Sequence, residues 1–84
     1  MTAEDILSAA SGGIYWDTPG RIDGSFMAFM GVGPVGEFSE VRIVDSSSIR
    51  NIAGRTIAIA NGNTFWCRSN NAELVSGVVV AYDL

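Results

Sequence analysis

The sequence predicts a mainly β protein, a small antiparallel β-sandwich or barrel of five to six strands with a short N-terminal helix. Three observations carry this reading. From residue 14 onward, short β-branched and aromatic runs are separated by Gly-, Asn- and Ser-rich turns at intervals of about 8 to 12 residues. Asn61-Gly62 stands between two such runs and is the strongest short-range turn signal in the chain. Nothing in the pattern alternates strands with long amphipathic helices, so parallel βα units are not expected.

Each element follows from local chemistry. Thr2 can cap a first helical turn that carries Glu4 and Asp5, and Ile6, Ala9 and Ala10 make a narrow apolar stripe before Ser11-Gly12-Gly13. Residues 1–12 therefore read as a short helix or docking arm, and residues 14–84 as the β core of a single domain spanning 1–84. Ile14-Tyr15-Trp16 is a first strand ended by Asp17-Thr18-Pro19-Gly20, and Ser25–Met30 is a second. Phe38–Asp45 alternates, with Val41 and Ile43 on one face and Glu40 and Arg42 on the other. Residues 55–60 and 63–68 are expected to pair as a hairpin through a type I′ turn at Asn61-Gly62. Ser69-Asn70-Asn71 reads as a loop, and Leu74–Tyr82 as the closing strand. No internal repeat is legible.

Charge narrows the function. Five Arg stand against nine Asp and Glu, without Lys or His, for a net charge of -4. The net negative charge repels phosphate backbones and the five Arg are scattered, so nucleic acid is not an expected partner. The apolar runs are too short to span a bilayer, and the acidic start lacks the basic region of a secretory signal, so neither membrane nor export is expected. One cysteine, Cys67, precludes an internal disulfide.

Catalysis finds little to work with. Gly31-Val32-Gly33-Pro34-Val35-Gly36 matches the glycine spacing of a dinucleotide fingerprint, but the following residues alternate like a strand where a helix N-terminus is required. Without His or Lys there is no ordinary general base or Schiff-base nucleophile. Asp17, Asp23, Glu37, Glu40 and Asp45 are each accounted for by turns and solubility. The expectation is no enzyme activity, no cofactor and no metal. An alternative is a ligand- or carbohydrate-binding module with Trp16 and Trp66 as its stacking platform.

The stronger signal is missing charge. Charged residues reach only 17%, against about 25% in ordinary soluble domains, although a small domain has proportionally more surface to wet. Gly24–Gly36, Thr56–Cys67 and Leu74–Tyr82 carry no charge at all. In Ser25–Met30, Phe26, Ala28 and Met30 oppose Met27 and Phe29. In the last strand, Val78, Val80 and Tyr82 oppose Val79 and Ala81. Strands apolar on both faces call for a second cover, and a partner subunit supplies one. The expected interface is Phe26, Met27, Phe29, Met30, Val78, Val79 and Val80. The expected partner is the chain itself or a neighbouring structural protein, in a closed ring such as a trimer. This general character is that of small phage virion components, capsid decoration (cement) or tail and baseplate proteins, assembled in a host cytoplasm.

Overall fold

A computed structural model describes residues 12–84, which form one six-stranded antiparallel sheet. Its strands are β1 (Gly13–Trp16), β2 (Gly20–Gly31), β3 (Phe38–Ser46), β4 (Thr56–Ala60), β5 (Thr64–Ser76) and β6 (Val79–Asp83). They are hydrogen-bonded in the order β1-β6-β2-β5-β3-β4. No helix occurs among the described residues, so none there is long and apolar enough to cross a membrane. The helix expected over residues 1–12 lies outside them but for Gly12.

The two central strands are bent. Twelve residues of β2 laid straight would reach about 36 Å, and the thirteen of β5 about 40 Å. The fold extends 29 Å along its longest principal axis. Register shifts between Ile22 and Ser25, and again between Phe26 and Ala28, mark where β2 turns over the core. Asn71 adopts a left-handed φ of 51° in the same stretch of β5. Its Oδ1 accepts the Gly24 N–H at 2.9 Å, and Asn70 Oδ1 accepts the Ser25 hydroxyl at 3.0 Å. Ser69-Asn70-Asn71, expected as a loop, is thus the bend of a continuous strand. The closing strand expected over Leu74–Tyr82 is instead divided at Gly77-Val78 between β5 and β6.

The expected hairpin at Asn61-Gly62 does not form. Among the described residues β4 pairs only with β3, while β5 pairs with β2 and β3, so the turn hands the chain from one part of the sheet to another. Gly62 has a positive φ of 96° but Asn61 does not, which fits a type II turn and not the type I′ expected. Asn61 is held by tertiary bonds instead. Its N–H donates to Glu37 O at 2.9 Å, its Nδ2 to Pro34 O at 3.2 Å, and its Oδ1 accepts from Ser39 Oγ at 2.9 Å.

Ser39 is the centre of this knot. It is fully buried, its hydroxyl lies 2.9 Å from both Asn61 Oδ1 and Val78 O, and it accepts the Val78 N–H at 3.1 Å. A hydroxyl has one proton, so the two acceptors share it. The start of β3, the turn after β4 and the turn after β5 therefore meet at one buried side chain, and Asn61 ties the connection after β2 to them.

The strand order carries a symmetry that no sequence repeat announces. Exchanging β1, β2 and β3 for β4, β5 and β6 turns the order into its own reverse. Each half has an edge strand, a three-residue connection (17–19 and 61–63), and a long bent strand. Its third strand lies beside the other half's long strand. Trp16, Phe26, Phe29, Val79 and Ala81 from one side pack against Val41, Ile43, Ile52, Ile59, Ala72 and Leu74 from the other.

Candidate functional site

Alternation along the strands separates inward from outward side chains. On β1, β6 and the second half of β2, Trp16, Val79, Ala81 and Phe29 belong to the core. Their chain neighbours Tyr15, Val80, Tyr82, Ala28 and Met30 therefore face out. The register assembles these into two cross-strand rows. Trp66, Ala28, Tyr82 and Gly13 lie side by side, as do Thr64, Met30, Val80 and Tyr15. Neither row contains a charge. Tyr15 is 64% exposed and Trp66 38%, while Met30, Val80 and Tyr82 are half-buried. Ala28 has no exposed surface and sits between Trp66 and Tyr82, its cross-strand neighbours.

The other half of the sheet is an internal control. Under the exchange of halves, the row Trp66, Ala28, Tyr82, Gly13 corresponds to Arg21, Glu73, Arg42, Thr56. Backbone position and pairing are the same in both rows. One is a wetted, mixed-charge face of the kind soluble sheets present, and the other has lost every charge.

The expected interface residues are divided by this geometry. Phe26, Phe29 and Val79 are fully buried in the chain's own core, whereas Met27, Met30, Val78 and Val80 keep part of their surface. The bulge at Met27 explains the difference. It breaks the alternation, so Phe26 and Phe29 both turn inward and only Ala28 and Met30 remain outside. Tyr15, Trp66 and Tyr82 join the outward face, and their common location is legible only from the register of β1, β6, β2 and β5. Trp16, by contrast, is 7% exposed on the inward face, so it and Trp66 lie on opposite sides of the sheet and form no joint platform.

The remaining chemistry-bearing residues are dispersed. Asp17 accepts from Thr18, Asp23 lies 3.6 Å from Arg21, Glu40 accepts from Ser76, and Asp45 accepts the Ser46 N–H. Cys67 is 2% exposed, with its sulfur 3.2 Å from Ser46 Oγ. Among the described residues, no three His, Cys, Asp or Glu side chains gather into a metal-binding group. The glycine-rich segment 31–36 leads into strand β3. Comparison of the chain with family models, with curated proteins and with solved structures gives no match.

Proposed function

We propose that this chain is a non-enzymatic assembly subunit, a small sandwich-like roll that works by burying its uncharged sheet face. The cover is a second copy in a symmetric oligomer or a neighbouring structural protein of a larger particle. A phage virion component, such as a capsid decoration or tail and baseplate protein, is the setting this fits best. The observation that supports the reading is the contrast between equivalent rows, Arg21-Glu73-Arg42 against Trp66-Ala28-Tyr82. Contiguous apolar surface rimmed by polar residues is what interaction sites present. Two copies of an acidic chain also meet there without opposing like charges.

The test is light scattering over a dilution series, on the wild-type chain and on a Trp66→Arg, Tyr82→Arg double variant. The substitutions copy what the equivalent face tolerates at Arg21 and Arg42, so folding should persist. An unpaired charge in a desolvated contact costs about 3–5 kcal/mol, enough to weaken association more than a hundredfold. A variant that assembles like the wild type refutes this face as the interface.

A further inference from the structure

We infer that the free edge of β4 pairs with the same strand of a second copy, extending the sheet across a twofold axis. This rests on the assembly reading above but uses a different surface. The backbone bonds fix which groups point outward. Asn61 N–H donates to Glu37 O and Ile43 N–H to Arg55 O, so in the β3–β4 register Ile57 and Ile59 are the residues that bond to β3. The N–H and C=O groups of Thr56 and Ala58, and the N–H of Ala60, consequently face away from β3. On β5, Gly31 N–H donates to Asn63 O, which places Phe65 against β2 and turns Thr64 and Trp66 outward. The pairing of β3 with β5 begins only at Ser69, so among the described residues this stretch has no strand on that side.

Two rows of main-chain donors and acceptors therefore flank one opening. Between them lies a cleft of about 230 Å³, lined by Phe38, Ala58, Ile59, Ala60, Thr64 and Phe65 among others. Extended backbone is the chemistry that satisfies such an edge, and apolar side chains suit the lining. The strand that pairs with the β4 edge is a second copy's β4, because the strand is complementary to itself; its other side stays bonded to its own β3, so it meets the β4 row alone. Thr56-Ile57-Ala58-Ile59-Ala60 has no charge and no proline, the two devices by which edges commonly avoid pairing. Antiparallel pairing centred on Ala58 sets Ile57 opposite Ile59 in both directions and opposes no like charges. Ala58 is exposed and small, which lets the backbones approach.

Ala58→Pro is the discriminating variant. It removes an outward N–H, leaves the β3 ladder intact, and occupies a position where edge strands accept proline. If it impairs folding, Ala58→Lys serves instead by opposing two positive charges. Light scattering is expected to show self-association of the wild type and at least a tenfold weaker association of the edge variant. Hydrogen exchange at the Thr56, Ala58 and Ala60 amides should slow at assembling concentrations and quicken on dilution. A wild-type chain that is monomeric at every concentration overturns the inference. So does an edge variant that assembles normally. If in that case Trp66→Arg, Tyr82→Arg dissociates, strand pairing fails while the assembly reading stands. Unchanged exchange at Ala58 between the two states also rejects it.

Discussion

Replacing Gly77 by Ala adds one methyl group where the chain leaves no room. A Cβ at Gly77 would meet Ser39 Oγ head on and would lie 2.8 Å from Ser39 Cα and from Ser39 Cβ. Ser39 is backbone-anchored in β3 and fully buried, so it has nowhere to yield. Gly77 also has a φ of +84°, where an L side chain costs roughly 1–2 kcal/mol. Overpacking adds about 1–3 kcal/mol. A sum of about 3 kcal/mol corresponds to a fall of roughly 12–24 °C in Tm for a domain of this size. Gly62 is the control. Its φ is +96° but no described residue lies within 4 Å of the added methyl, so Gly62→Ala should show backbone strain alone, about 1 kcal/mol. The assay is urea unfolding of both variants by circular dichroism. Losses equal to within about 0.5 kcal/mol would refute the role of the Ser39 contact and leave only the glycine conformation.

Other substitutions probe the same architecture. Asn61→Asp keeps the size of the side chain but replaces the Nδ2 donor to Pro34 O with an acceptor, so a loss of about 1–3 kcal/mol is expected in the same assay. Among the described residues Ser69 Oγ is buried without a hydrogen-bond partner, and Ser69→Ala should leave the stability unchanged or raise it by about 1 kcal/mol. A marked loss there would reveal a hidden bond. Phe29→Asp places a carboxylate in the core of a domain whose total stability is about 4–13 kcal/mol, and should abolish the folded circular dichroism signal. A folded but dissociated Phe29→Asp would return Phe29 to the interface. Cys67 should react with a thiol reagent only as fast as the chain opens, and rapid labelling in native buffer would contradict its burial.

Several of these residues show how far a linear reading reaches. Val41 and Ile43 alternate with Glu40 and Arg42 in a strand with one wet face, and β3 lies where that period places it. Ser25–Met30 resisted the same treatment. The bulge at Met27 shifts the alternation by one, and a bulge is defined by two strands at once. Asn61-Gly62 misled for a related reason. Its local preference is for a tight hairpin, but the amide makes tertiary bonds to Pro34 and Ser39, far away in the chain, and these decide its conformation.

By itself the sequence determined the β class, five to six runs of strand-forming residues and the shortage of charge. These are properties of composition and of period-two patterning, which each segment carries alone. Only the tertiary structure decided that β4 and β5 part company, that two unlike halves share one topology, and which apolar residues remain outside. Sheet order and register are set by contacts between distant segments. A shift of one residue moves a side chain from core to surface, and no single strand records which way it will fall.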